Sequence, residues 1–178
     1  MTSVLGLSTK EIGCEVIDKQ NHAKGYLNKY SFINLAKYFV MDKEIWGDYE
    51  DSWLHINNVY INGPSFGGII SSANAISFIL QDLLKDESHI LGSNMKDQLY
   101  TQQKTADGES IDMTLGWHVG NLSGTKYYFK EGGGAGFHCE MRIYPDNGLA
   151  SVIIVNKTSL NTNKELSQLD SSFIKKIK

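Results

Sequence analysis

The chain has 178 residues, 41% of them hydrophobic and 21% charged, with a formal net charge of −3. That balance suits one globular domain with a sizeable core and excludes a disordered chain. Charges of both signs are interspersed, which gives no footprint for nucleic acid, and the longest apolar runs, such as 151–155, are too short to span a membrane.

Residues 1–30 show no sustained period and read as irregular, punctuated by Gly6, Gly13 and Gly25. Ser31 then precedes Phe32, Leu35, Ala36, Phe39 and Val40, a spacing that predicts a short helix with one apolar face and a serine N-cap. Residues 43–62 are rich in aromatics without a clear period and are expected to form a packed loop region. A second helix is predicted after Gly63-Pro64-Ser65-Phe66-Gly67-Gly68, capped by Ser71 or Ser72, with Ala73, Ile76, Ile79, Leu80, Leu83 and Leu84 as its buried stripe. The polar stretch 85–110 holds a short helix near 93–100.

From Leu115 the period switches to two. Leu115, Trp117 and Val119 alternate with Gly116, His118 and Gly120, and a turn at Ser123-Gly124 leads into Tyr127–Lys130. Phe137, Cys139, Met141 and Ile143 then alternate with His138, Glu140, Arg142 and Tyr144, the pattern of a strand with one buried and one wet face. Pro145-Asp146-Asn147-Gly148 is a turn whose Asn-Gly pair suits positive φ angles, and Leu149–Val155, being uniformly apolar, is expected to lie more centrally in the sheet. Thr162-Asn163-Lys164-Glu165 has the form of a capping box opening a last helix, with Leu166, Leu169, Phe173 and Ile177 on one face. Helices, then an antiparallel meander of three or more strands, then a covering helix make the fold class α+β. One domain spans 1–178, mostly helical and loop-like over 1–110, with the sheet and last helix over 111–178.

Two cysteines, Cys14 and Cys139, make neither a disulfide framework nor a CxxC site. The first residues carry no basic segment followed by an apolar run, so no secretory signal is expected in this chain and the compartment is left open. His138 and Glu140 share a strand face that His118 could approach, but there is no HExxH motif, and solvated strand-face residues fit the pattern better than a metal site. No cofactor motif is present.

The stretch Lys130-Glu131-Gly132-Gly133-Gly134-Ala135-Gly136-Phe137 is the most informative one. It leads into a strand rather than a helix and lacks a GK[ST] ending, which excludes a phosphate loop. Two readings stay open, a plain flexible turn or a sheet edge or bulge that something else approaches closely. Ser93-Asn94-Met95-Lys96, Ser123-Gly124-Thr125-Lys126 and Ser172-Phe173-Ile174-Lys175 fit a serine followed one turn on by lysine, yet none lies at the start of a buried helix. Tyr60-Ile61-Asn62 matches a Tyr-x-Asn pattern of base and substrate ligand, set in an aromatic loop.

The order of these pieces resembles the C-terminal half of the serine β-lactamase/penicillin-binding-protein superfamily, in its class C-like branch of esterases and D-aminopeptidases. Leu5-Gly6-Leu7-Ser8-Thr9 is similar to that family's LGM..T segment, Gly63–Ala73 to its GP.GGL.ST helix opening, and Leu115-Gly116-Trp117 to its GLGW strand. Lys130-Glu131-Gly132 resembles the third catalytic motif, and Tyr144–Asn156 the YPD.G….VVLTN hairpin. The resemblance covers nearly the whole chain and implies a partial β-lactamase-like fold and an acyl-transfer chemistry on an ester, amide or lactam, with a small-molecule acyl substrate.

Under that resemblance Lys130 acts electrostatically, Gly132 lets substrate lie against the strand, and the Gly133 N–H is an oxyanion donor. Glu131, Gly134 and His138 fall on the substrate side, and the separate Tyr-x-Asn pattern match offers Tyr60 and Asn62 as further substrate-binding candidates. Glu131 stands where the family has Thr or Ser, and a carboxylate there repels that of an anionic β-lactam. The family's Ser-x-x-Lys helix and Tyr-x-Asn loop precede the LGM..T segment, so the nucleophile is expected outside these residues and the chain alone to be inactive. The strands expected beside Leu149–Val155 are missing with it, leaving an open sheet edge for the absent half or a second copy. The rival expectation is a non-catalytic module that pairs through that edge.

Overall fold

The computed structural model describes residues 2–40, 42–57 and 67–177. After a 3-10 turn at Thr2–Leu5 come β1 (Ile12–Gly13), β2 (Gly25–Asn28), α1 (Phe32–Val40), β3 (Trp46–Glu50), β4 (Trp53–Ile56) and β5 (Ile70–Ser71). The chain continues through α2 (Ala73–Leu84), α3 (Ser93–Tyr100), β6 (His118–Leu122), β7 (Thr125–Gly134), β8 (Phe137–Tyr144), β9 (Leu149–Val155) and α4 (Thr162–Ile177). The fold is α+β, with antiparallel sheets ordered β1-β5, β2-β4-β3 and β6-β7-β8-β9.

The four-stranded meander lies between two helices. Because side chains alternate across a strand, Tyr128, Met141, Ile143, Ala150 and Val152 share one face, and α2 closes on it with Leu80 and Leu83. Ser72 caps α2 by accepting the Ala75 amide at 3.1 Å. The other face carries Tyr127 and Tyr144, against which α4 sets Ile174.

Glu140, Arg142 and Tyr144, read from alternation as a wet face, are therefore buried. The reason is electrostatic pairing. Asp170 on α4 receives the Arg142 guanidinium at 3.3 Å and the Tyr144 hydroxyl at 2.7 Å, which rotates α4 so that Thr162, Leu166, Asp170 and Ile174 face inward. Of the expected stripe only Leu166 is buried; Leu169, Phe173 and Ile177 are exposed. The cap of α4 is Asn161, whose Oδ1 accepts the Lys164 amide at 3.0 Å, rather than Thr162.

Further departures have local causes. Residues expected to be irregular or a packed loop form β2, β3 and β4, whose buried Leu27, Leu54 and Ile56 make a small separate core. The first strand of the meander starts at His118, after a left-handed Gly116 (φ 80°) turns the chain. At 145–148 only Gly148 has a positive φ, because Pro145 opens a 3-10 turn there. Finally, among the described residues β9 is an edge strand of its sheet rather than a central one. Beyond its end, at Asn156, the carbonyl accepts the Tyr26 amide of β2 at 2.9 Å.

Asp82 organises the loop after α2. Its buried carboxylate accepts the Ser88 hydroxyl at 2.6 Å, the His89 ring Nδ1 at 2.8 Å, and the His89 and Ile90 amides at 3.2 and 3.1 Å. Burial by itself pushes this carboxyl up, but the hydrogen bonds from Ser88, His89 and Ile90 outweigh it and hold it well below the usual carboxylate range. A folded-state pKa below the unfolded value of about 3.9 gives stability that is full above that pH and lost as pH falls below it. Asp82→Asn is expected to cost about 2–3 kcal/mol at neutral pH. The variant should also lose less stability than the parent between about pH 4 and pH 2, which urea titrations at each pH would read.

Candidate functional site

The strand β7 outruns its neighbour. Its pairing with β6 ends at Phe129 opposite His118, whereas its pairing with β8 runs unbroken from Tyr128–Ile143 to Gly134–Phe137. Residues 130–134 thus have β8 on one side and, among the described residues, no ladder partner on the other. All five are exposed. No register shift occurs along them, so the glycines make a strand edge and not a bulge; the turn is the two-residue Ala135-Gly136, with φ 49° and 83°.

The register assigns each side chain a face. Lys130, opposite Met141, and Gly132, opposite Cys139, lie on the α2 side; Glu131, opposite Glu140, and Gly133, opposite His138, lie on the α4 side. The Lys130 ammonium donates to the Gly116 carbonyl at 2.9 Å, which ties the site to the loop before β6. Sequence reading missed that partner, although the turn-forming Gly116 was within reach of it in the pattern. A Cβ at Gly132 would sit 3.6 Å from the Cys139 Sγ, and one at Gly134 would meet nothing within 4 Å. Neither glycine has the positive φ that would require it. The fold therefore gains nothing from glycine at 132 or 134, and an exposed strand is weakened by it.

Cys139, although an exposed residue, is no activated nucleophile: desolvation pushes its thiol up, with the Gly132 amide acting weakly in the opposite sense. Glu131 and Glu140 stand opposite each other, but Glu140 is neutralised by Arg142 at 2.7 Å, leaving the exposed Glu131 carboxylate as the charge on that side. The expected strand-face pair His138 and Glu140 holds no third ligand, and among the described residues no group of three or more His, Cys, Asp or Glu could hold a metal ion. His118 instead stacks on Phe129, with ring centroids 5.0 Å apart. Tyr60 and Asn62 lie outside the described residues.

In the serine–lysine pairs Lys96, Lys126 and Ser172 are engaged elsewhere. Lys96 donates to the Lys85 carbonyl, Ser123 occupies a left-handed turn position (φ 53°) while Lys126 lies over the Tyr128 ring, and Ser172 donates to the Gln168 carbonyl at 3.2 Å. Ser88, His89 and Asp82 have the composition of a triad but the wrong order, since the serine hydroxyl donates to the carboxylate instead of to the imidazole. His89 also lines a shallow depression of about 220 Å³ with Val4, Leu5, Phe78, Gln81 and Lys85, none of which belongs to the Lys130 strand. Among the described residues no helix is long and apolar enough to cross a membrane.

Comparison of the chain with protein-family models, curated proteins and solved structures gives no match.

Proposed function

We propose that this chain provides the oxyanion and substrate edge of a β-lactamase-like serine hydrolase whose nucleophile comes from a segment outside these residues. The observation that carries the reading is the exposed, one-sided strand 130–134, with a lysine held at its start and glycines at 132 and 134 that the fold itself does not need. An acyl substrate lying along that edge would meet backbone N–H groups on β7, among them that of Gly133, where a tetrahedral oxyanion can be stabilised. Lys130 would supply the nearby positive charge. Glu131 would disfavour anionic acyl groups, which turns the substrate class toward neutral or cationic esters and amides. Gly132, Gly134 and His138 would line the same edge.

A second observation favours pairing through the sheet. The edge strand β9 reads LASVIIV, with no charge, proline or glycine, although exposed edges are ordinarily guarded by such residues. In this reading the strands of the absent half complete the sheet there and cover the exposed Leu169, Phe173 and Ile177 of α4. The same edge would serve a non-catalytic module, and turnover separates the two.

The purified chain is expected to show no hydrolysis of chromogenic esters. Adding in trans a polypeptide that carries the Ser-x-x-Lys and Tyr-x-Asn segments should give turnover that a serine-directed titrant stops. In that complex Lys130→Ala should lower kcat by about 10²–10³-fold, the size typical of losing one transition-state stabiliser. A stable complex without turnover would leave the pairing module, and turnover by the chain alone would overturn the proposal.

A further inference from the structure

The helix α1 is folded inside out. Its polar residues Asn34 and Lys37 are each 6% exposed, while Phe32, Leu35 and Phe39 are 81%, 79% and 93% exposed. A dedicated network holds the polar side inward. The Lys37 ammonium donates to the Tyr49 hydroxyl of β3 at 3.0 Å, that hydroxyl donates to Asn34 Oδ1 at 3.0 Å, and Asn34 Nδ2 donates to the Lys29 carbonyl at 2.7 Å. The Lys37 charge also lies 4.8 Å from the Tyr49 ring centroid. With its polar face fixed in this way, the helix cannot roll its apolar face back onto the fold.

We propose that this apolar face of α1 is the contact surface for a second copy of the chain, packed antiparallel about a two-fold axis between Leu35 and Ala36. A two-fold interface uses one patch twice, so the patch must be complementary to itself. The helix has that symmetry in its residues. About the midpoint of Leu35 and Ala36, Phe32 mirrors Phe39, Ile33 mirrors Tyr38, and the inward Asn34 mirrors the inward Lys37. In the antiparallel pair each Phe32 meets Phe39 of the other copy, and each Leu35 meets the smaller Ala36, so bulk falls opposite space at the crossing.

Area supports the same occupant. With Tyr30, Ile33 and Tyr38 the exposed patch counts four aromatic side chains, each of about 150–250 Å². That approaches the roughly 800 Å² per partner of a stable protein interface and exceeds the patches ordinary monomers expose. Charge argues against a bilayer as the occupant. Interfacial helices carry Lys and Arg on an outward polar face, whereas here the polar face is buried, the next residues include Asp42 and Glu44, and the whole chain is at −3.

Sedimentation velocity over about 1–100 μM, which brackets a micromolar Kd, tests the proposal. The parent chain is expected to sediment as a dimer at the upper end. Phe39→Glu should be monomeric, its Kd weakened about 100-fold or more as for an interface anchor. Its circular dichroism should be unchanged and its melting should match that of the parent diluted to monomer, because the side chain touches little within the monomer and only the dimer's contribution to Tm is lost. The double variant Phe32→Lys/Phe39→Glu should regain dimer, since the register sets each new ammonium against a new carboxylate of the other copy. A parent monomeric at the highest concentration would overturn the proposal, as would a dimer indifferent to Phe39→Glu. A double variant that stays monomeric would overturn the register and the proposal with it. A monomeric parent that cosediments with phosphatidylcholine vesicles, an affinity lost in Phe39→Glu, would reassign the face to a membrane surface.

Discussion

Arg142→Met is expected to lower the unfolding free energy by about 3–5 kcal/mol, the cost of removing one partner from a buried ionic cluster. The Arg142 side chain is 0% exposed. Its Nε donates to Glu140 Oε1 at 2.7 Å, Nη1 to Ser167 Oγ at 3.1 Å and Asp170 Oδ2 at 3.3 Å, and Nη2 to the Asn163 carbonyl at 3.0 Å. It also stacks 4.8 Å from the Tyr127 ring centroid. Among the described residues this guanidinium is the cation bonded to both buried carboxylates, and Glu140 Oε2 and Asp170 Oδ1 already lack hydrogen-bond partners. Methionine would fill much of the volume and leave two buried carboxylates without a cation.

The comparison that isolates charge from packing is the triple variant Arg142→Met/Glu140→Gln/Asp170→Asn. Neutralising the whole cluster should recover a large part of the loss, because the penalty lies in the uncompensated charge. Arg142→Lys should fall between, since an ammonium cannot reproduce the fork that reaches three partners on α4. Urea unfolding of the four proteins reads these differences, and a single variant within about 0.5 kcal/mol of the parent would refute the account. The cluster has an alkaline signature too. Burial, then the hydrogen bond to Asp170, raises the Tyr144 hydroxyl above its ordinary value. A raised folded pKa gives stability that is full below the unfolded value of about 10 and lost as pH rises above it, so the parent should weaken above pH 10 more steeply than Tyr144→Phe.

The same cluster marks where reading the sequence by period succeeds and where it stops. The alternation over 137–144 and the stripe of α2 located a strand and a helix correctly, because both periods follow from backbone geometry alone. Period says which residues share a face, however, and not what the face meets. Arg142 and Glu140 count as polar in the pattern and are buried only because Asp170, 28 residues on from Arg142, arrives on a helix to pair with them. The apolar stripe of α1 was equally legible and faces outward, because Asn34 and Lys37 find a partner in Tyr49. In the β3–β4 hairpin a register shift between Trp46 and Tyr49 breaks the alternation that would have revealed it. At the candidate site the sequence carried the lysine and the glycines. It did not carry the early end of β6, which is what leaves one side of 130–134 open.

Gly136→Ala is expected to cost about 3 kcal/mol or more, whereas Gly134→Ala, two residues earlier, should stabilise the chain by about 0.4–1 kcal/mol. Gly136 has φ +83°, and a Cβ there would lie 2.3 Å from the Tyr26 backbone nitrogen and 2.5 Å from the Gly25 carbonyl carbon. The contact is mutual, since a Cβ on Gly25 would fall 1.9 Å from the Ala135 carbonyl oxygen. All three atoms named are backbone, so no side chain can swing away from them. At Gly134 φ is not positive and nothing lies within 4 Å, so alanine there only narrows the unfolded ensemble. One glycine run thus contains a residue the fold requires and residues it does not. Urea unfolding of Gly25→Ala, Gly136→Ala and their double variant completes the argument. If the two backbones are in contact, the clash is relieved by one separation of β2 from the turn, and the double variant should cost clearly less than the sum. Strict additivity would mean that the two glycines act independently, each through its own backbone conformation. Loss of the contact would also release the hairpin end that holds residues 130–134 extended, so in the assembled hydrolase proposed above, Gly136→Ala should lower kcat through a residue that touches no substrate.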